Sequence, residues 1–95
     1  MGKTRKQVME WLEENTDFIK IQLSEDFYIS GREGGIWLCG EGDNMYKGNV
    51  IYDYYNTNYK KYDIGVLIPF QKKLEKMGWW SEWYDAGTIT IWPND

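Results

Sequence analysis

The C-terminal stretch GWWSEWYDAGTITIWPND places the strongest constraint on the fold, because two runs rich in aromatic and β-branched residues flank a turn signal. Residues 85–87 have the composition of a three-residue hairpin loop, in which the glycine takes the left-handed backbone position. A loop of that length sets Trp80 opposite Trp92 across the two strands. The segment therefore predicts an antiparallel hairpin with a defined register.

That register divides the hairpin into two faces. The face expected to join the core carries Trp79, Ser81, Trp83, Ile89 and Ile91. The opposite face, called the outer face below, carries Trp80, Glu82, Tyr84, Thr88, Thr90 and Trp92. A two-residue loop at Ala86 and Gly87 would instead group Tyr84 with Ile89, Trp80 and Ile91, and leave Trp79, Trp83 and Trp92 on the other side. In either register, large aromatic residues occupy both faces.

Two helices are expected outside the hairpin. Thr4 and Gln7 form a Thr-x-x-Gln capping box at the start of the first, which we expect to run from about Arg5 to Glu14. Its basic residues lie at the positive end of the helix dipole and its acidic residues at the negative end, so we expect packing and ionic partners elsewhere in the fold to hold it.

The second helix is predicted in VLIPFQKKLEKMG, where Pro69 fits only in the first turn and Gly78 ends the helix. Its apolar stripe consists of Leu67, Phe70, Leu74 and Met77.

Four strands are expected between the helices: an alternating run from Phe18 to Leu23, then DFYIS, IWLC and VIYDYY. GREGG connects the second and third of these, GEGDNMYKGN is expected to be a loop, and NTNYKKYD ends the fourth strand. The chain therefore predicts a single α+β domain over residues 1–95. Its antiparallel sheet would have about six strands, in the order helix, four strands, helix and C-terminal hairpin, with both helices packed on one face.

Most catalytic chemistries are disfavoured by the residue types present. The chain has no histidine, which removes imidazole acid–base chemistry, Ser/Cys–His nucleophiles and the commonest zinc ligand. The single cysteine, Cys39, stands in an apolar strand pattern and is expected to be a core residue. GEGDN lacks the ligand spacing of an EF-hand. We therefore expect no enzyme activity, no cofactor and no metal site.

Nucleic acid and membranes are disfavoured as partners. The net charge is −4, so affinity for phosphate backbones is disfavoured. YDYYNTNYKKY does interleave tyrosines with Lys60 and Lys61, but Asp53 and Asp63 flank those residues. No apolar run approaches the roughly 20 residues of a membrane span, and a lone cysteine excludes an internal disulfide. We expect a cytoplasmic protein.

These observations favour a small non-enzymatic module that binds a protein partner, or a second copy of itself, through aromatic side chains. The candidate binding residues are Trp80, Glu82, Tyr84 and Trp92 on the hairpin, and Tyr54, Tyr55 and Tyr59 as a second patch. Self-association is a variant because Thr88–Trp92 would pair with another chain if it formed a sheet edge. A viral or mobile-element inhibitor of a host protein is one hypothetical setting. The alternative is a domain that binds a nucleotide, sugar or cation in an aromatic slot, with Asp53, Glu82 or Arg32 converging on it.

Overall fold

Three helices and eight short strands make up the fold in the computed structural model, which describes residues 2–18, 21–27, 33–39, 44–85 and 87–93. In chain order the elements are α1 (Arg5–Asn15), β1 (Ile21–Leu23), α2 (Ser24–Phe27), β2 (Ile36–Cys39), β3 (Met45–Tyr46), β4 (Asn49–Val50), β5 (Tyr62–Asp63), β6 (Val66–Leu67), α3 (Ile68–Lys76), β7 (Trp79–Asp85) and β8 (Thr88–Pro93). The architecture is α+β, as the sequence predicts.

The main sheet is antiparallel and has four strands in the order β1-β2-β8-β7. The expectation of about six strands in one sheet is therefore wrong, because β3–β4 and β5–β6 form two separate two-stranded sheets. The expectation that residues 88–92 form a sheet edge is also wrong. Strand β8 lies between β2 and β7, so its main chain is paired on both sides.

Both longer helices begin and end close to the predicted residues. The Thr4 hydroxyl accepts the Gln7 N–H at 3.2 Å, while the Gln7 side chain accepts the Thr4 N–H at 2.9 Å, which completes the capping box. In α3, Pro69 lies in the first turn and Gly78 follows the helix with φ of 83°. The predicted apolar stripe of α3 is buried throughout.

The segment between β2 and α3 differs most from prediction. VIYDYY is not a strand: only Asn49–Val50 is extended, Tyr52 forms an isolated bridge with Val66, and Tyr54 and Tyr55 lie in a turn. The segment GEGDNMYKGN, expected to be a loop, contains most of the β3–β4 hairpin. Before β2 there is one further difference: the expected strand DFYIS has Asp26 and Phe27 in the single helical turn α2. Residues 28–30 of that strand, and residues 19, 20 and 40–43, lie outside the described part of the chain.

One hydrophobic core joins α1 and α3 to the inner face of the sheet. Its members include Val8 and Leu12 of α1, Phe70 and Leu74 of α3, and Ile36, Leu38, Ile89 and Ile91 of the sheet. Aromatic rings then extend this core outward in steps of 5.6–5.7 Å between centroids: Trp11 contacts Phe70, Phe70 contacts Tyr52, and Tyr52 contacts Trp83. This ring series connects the core to the surface considered next.

Candidate protein-interaction surface

The C-terminal hairpin has the register that a three-residue loop predicts. Trp80 is opposite Trp92, Glu82 is opposite Thr90 and Trp83 is opposite Ile89. Near the tip the pairing differs, because the register shifts between Trp83 and Asp85 and places Asp85 opposite Thr88. From Trp80 to Trp83 the register of the two-residue alternative is therefore excluded. At the tip the predicted three-residue loop is wrong, because only residues 86 and 87 separate the paired residues Asp85 and Thr88, and Tyr84 lies in the irregularity between the two registers.

Trp92 is held in place on the outer face by two contacts. Its Nε1 donates to the Thr90 hydroxyl at 2.9 Å, and that hydroxyl donates to the Glu82 carbonyl at 3.1 Å. The ring lies over Gly35, where an added Cβ would come within 2.5 Å of the indole carbons. Gly35 is therefore required by this close approach, and Trp92 packs on the neighbouring end of β2.

The outer face is only partly open to solvent. Trp80, Glu82 and Trp92 are half-buried, Thr90 is fully buried, and Tyr84 is 53% exposed near the hairpin tip. Trp80, Glu82 and Trp92 thus lie on one face, and Tyr84, at the irregularity near the tip, is the most accessible of the three aromatic rings.

The second predicted patch is more exposed. Tyr54 and Tyr55 are 47% and 79% exposed, and their rings meet edge to face with centroids 5.1 Å apart. Tyr59 is 76% exposed in the following turn and makes no ring contact within the described part of the chain. The structure therefore brings Tyr54 and Tyr55 together and leaves Tyr59 apart from them.

Trp83 connects this patch to the core. Its ring lies 5.1 Å from Tyr54 at an interplanar angle of 90° and 5.7 Å from Tyr52, and its Nε1 donates to the Ile64 carbonyl at 2.7 Å. Ile64 is itself 77% exposed. We call Tyr54, Tyr55, Ile64 and Trp83 the rim patch, since they lie where the β5–β6 turn meets the edge of the main sheet.

Ile64 has an unfavourable backbone conformation for its residue type. It occupies the first position of the two-residue β5–β6 turn with φ of 49°, and Gly65 follows with φ of 74°. Such turns favour Asn, Asp or Gly at the first position, whereas a β-branched residue at positive φ is strained. Gly65 cannot be replaced, because a Cβ there would lie 2.7 Å from the Asp53 carbonyl oxygen. An exposed isoleucine at this position therefore carries a conformational cost.

Ionisable side chains near the rim patch have structural roles. Burial raises the pKa of the Tyr52 phenol above its ordinary value, although the hydrogen bond with the Ser81 hydroxyl at 3.0 Å opposes the shift. Burial also raises the pKa of Tyr62, with a smaller contribution from Asp53. The Tyr62 hydroxyl donates to the Val50 carbonyl at 2.6 Å. Both phenols therefore stay protonated at neutral pH and hold the small hairpins against the sheet.

Clefts in the described part of the chain include two that bear on ligand binding. One, of about 340 Å³, separates α1 from α3 and is lined in part by Trp11, Glu14 and Lys73. The other, of about 240 Å³, lies beside β7 and is lined in part by Asp63, Glu75 and Trp83. Neither contains Asp53 or Glu82, which the ligand-binding alternative would place in an aromatic slot. Arg32 lies outside the described residues.

The described residues bear on two other kinds of site, metal centres and membrane spans. No group of three Cys, Asp or Glu side chains there is arranged to hold a metal ion. None of the helices that the structure describes has both the length and the apolar character needed to cross a membrane.

Comparison with protein-family models yields no match, and searches of curated proteins and of solved structures yield no significant match.

Ile64 and Trp83 are the surface residues that the sequence interpretation did not select. The sequence predicts Trp83 on the core face, and Trp83 is on that face, but its end of the strand reaches the surface and the residue is half-buried. Ile64 precedes a glycine in YDIGVL, and that glycine is the one signal of a turn there. The absence of Asn or Asp before it leaves the turn unmarked in the sequence.

Proposed function

We propose that the protein is a non-enzymatic module that binds a protein partner through the rim patch. The observation that carries this proposal is Ile64, a large apolar side chain that is 77% exposed on a backbone with φ of 49°. Asn or Gly would be less strained at this position, and the exposed side chain recovers little energy from burial within its own chain. A contact with another molecule supplies a reason for its presence.

The neighbours of Ile64 support the same interpretation. Tyr54, Tyr55 and Trp83 are in successive ring contact, and Trp83 is packed against Tyr52 in the core. Tyrosine and tryptophan are enriched among residues that dominate binding energies, and rings already held in place lose little freedom on binding. The outer face of the hairpin, with Trp80, Glu82, Tyr84 and Trp92, would form a second and less accessible contact region.

A protein partner fits the shape of the patch better than a small ligand does. Tyr55 and Ile64 project from turns, as their exposed fractions of 79% and 77% indicate, and do not converge on a cavity. Small-molecule sites are concave and bury most of the ligand. We extend the proposal to a cytoplasmic partner, in line with the single cysteine and the negative net charge.

Quantitative affinity capture from an extract of the source cells tests this proposal. The baits are the wild type, Tyr55→Ser and Ile64→Asn, with Lys47→Asn and Tyr59→Ser as matched controls outside the rim patch. Lys47 occupies the equivalent turn position in β3–β4, with φ of 49°, and Tyr59 is as exposed as Tyr55. We expect a partner that the wild type and both controls retain, and that each patch variant binds about 30-fold more weakly, as for a loss of about 2 kcal/mol at a binding hot spot.

Equal capture by all five baits would contradict the proposal for the rim patch. If Tyr84→Ser, but neither patch variant, lost the partner, the outer face of the hairpin would be the binding surface instead.

A further inference from the structure

Strand β7 forms one edge of the main sheet, and part of its main chain points away from β8. The Ser81 N–H donates to the side-chain oxygen of Gln71 at 3.4 Å, so it is not directed across the sheet. In an antiparallel ladder, alternate residues point their N–H and C=O groups in the same direction. The main-chain groups of Trp83 therefore point outward as well, and no strand of the described residues pairs with this edge.

The cleft of about 240 Å³ follows this outward edge. Its walls come from three parts of the chain: Ser81 and Trp83 of β7, Gln71 and Glu75 of α3, and Asp63, Ile64 and Val66 of the β5–β6 hairpin. Drug-sized ligands occupy pockets of about 300–1,000 Å³, so this cleft suits a single side chain better than a whole small molecule. A cleft between an edge strand and a helix is a geometry in which an extended peptide adds to a sheet.

The charged side chains that line the cleft are all acidic. Asp63 and Glu75 line it, whereas no lysine or arginine does. Both carboxylates belong to exposed residues, and the described ion pair of the protein, between Arg5 and Glu25, involves neither of them. A cationic side chain would therefore be attracted to this cleft and an anionic one repelled.

We propose that the cleft binds an extended segment of the protein partner, which adds as a strand to β7 and places a lysine or arginine side chain beside Asp63 and Glu75. A carbonyl group of that segment would replace the Gln71 side chain as acceptor of the Ser81 N–H. The distance of 3.4 Å is long for an N–H···O bond, whose usual length is about 2.9–3.0 Å, so this replacement forms a better bond. The inference rests on the proposed function and specifies the part of the partner that lies next to the rim patch.

A second copy of β7 is the other candidate for this edge, and charge disfavours it. The strand has the sequence WWSEWYD, whose charged residues are both acidic. Two such edges would bring together four carboxylates from the strands, with Asp63 and Glu75 of each copy nearby, and no basic residue of β7 to balance them.

The test uses the intact protein and two synthetic peptides of alternating valine and threonine, one with a central lysine and one with a central glutamate. Affinity is measured by fluorescence anisotropy, and hydrogen exchange of individual amides by NMR. We expect the lysine peptide to bind about tenfold or more tightly than the glutamate peptide. We also expect it to slow amide exchange at Ser81 and Trp83 more than at Glu82, whose N–H already faces β8.

The double variant Asp63→Asn with Glu75→Gln should reduce the preference for lysine to about twofold or less. Its matched control is Glu10→Gln with Glu14→Gln, which changes net charge equally but alters the cleft between α1 and α3. This control should keep the preference.

Three results would overturn the proposal: equal binding of the two peptides, an unchanged preference in the cleft variant, or slowed exchange at residues away from β7. Protection of Ser81 and Trp83 that rises with protein concentration without peptide would assign the edge to a second copy instead. If the lysine peptide binds at β7 but all five baits capture the partner equally, the rim patch is rejected and the cleft is retained. If the patch variants lose the partner but the peptide does not bind at β7, only the cleft is rejected.

Discussion

At the scale of single residues, Ile64 illustrates how a strained position can indicate function. The β5–β6 and β3–β4 turns share one conformation, with a residue at φ of 49° followed by a glycine. One turn has lysine at that position, and the other has an isoleucine beside exposed aromatic rings. The same backbone therefore occurs twice, which makes Lys47 an internal reference for the cost of the conformation.

Ile64→Asn should raise the free energy of unfolding by about 1 kcal/mol, because asparagine accepts the left-handed conformation and little apolar burial is lost. The Trp83 indole would keep its acceptor, which is a main-chain carbonyl. Urea denaturation measures the change, and Lys47→Asn should give a gain of similar sign. A loss of stability in Ile64→Asn would show that this side chain stabilises its own fold, and would remove the main support for the rim patch.

At the scale of elements, the packing of β8 on the start of β2 depends on the absence of a side chain at Gly35. Trp92 of β8 covers Gly35, the residue before β2, and its Nε1 bonds to Thr90. The outer face thus has its shape because a ring from one strand fills the space that a Cβ would need on the next. This packing also explains why Trp92 is half-buried although it faces away from the core.

Gly35→Ala should destabilise the protein by about 2 kcal/mol, because the added Cβ would lie 2.5 Å from the indole ring and would force it to move. In a Trp92→Ala background the same substitution should cost less than about 0.5 kcal/mol, since the obstructing ring is gone. A double-mutant cycle of urea denaturation curves measures both values. Equal costs in the two backgrounds would show that the glycine is needed for its backbone and not for the ring.

At the scale of the whole molecule, an ion pair connects the start of α1 to the short helix α2. The Arg5 guanidinium donates to both carboxylate oxygens of Glu25, at 2.7 and 2.9 Å, and to the Gly35 carbonyl at 3.3 Å. This pair supplies the ionic partner that the sequence requires for a helix with charges opposed to its dipole. Together with a main-chain hydrogen bond, it lowers the pKa of Glu25 to about 2 from an ordinary value of 4.5.

The stability of the protein should therefore depend on pH through Glu25. Because the folded-state pKa lies below the unfolded-state value, the contribution is complete above about pH 4.5 and is lost as the pH falls toward 2. We expect the wild type to be more stable than Glu25→Gln at pH 7, with a difference that shrinks below pH 4.5. Urea denaturation at several pH values measures it, with Glu14→Gln as a control on the exposed side of α1. A pH-independent difference would mean that the pair does not control the titration.

Local chemistry is enough to predict the parts of the fold that have a long periodic signal or a marked turn. The capping box at Thr4, the position of Pro69 in α3 and the pairing of Trp80 with Trp92 are all confirmed. Each depends on residues that are adjacent in sequence or joined by one short loop. The two small hairpins were missed because a strand of two residues has no measurable period.

The candidate site likewise has features that local sequence predicts and features that depend on tertiary contacts. The sequence alone determined that aromatic residues lie on both faces of the hairpin, because residue type and strand alternation are local properties. It selected Tyr54 and Tyr55 as candidates by residue type, although they lie in a turn and not in the predicted strand. Only the tertiary structure decided that β7 and not β8 is the sheet edge, and that Ile64 meets Trp83. These facts depend on contacts between segments 19 or more residues apart. A sheet with β8 at its edge would have the same local sequence pattern as the observed sheet, and the two differ only in how the whole chain buries its apolar surface.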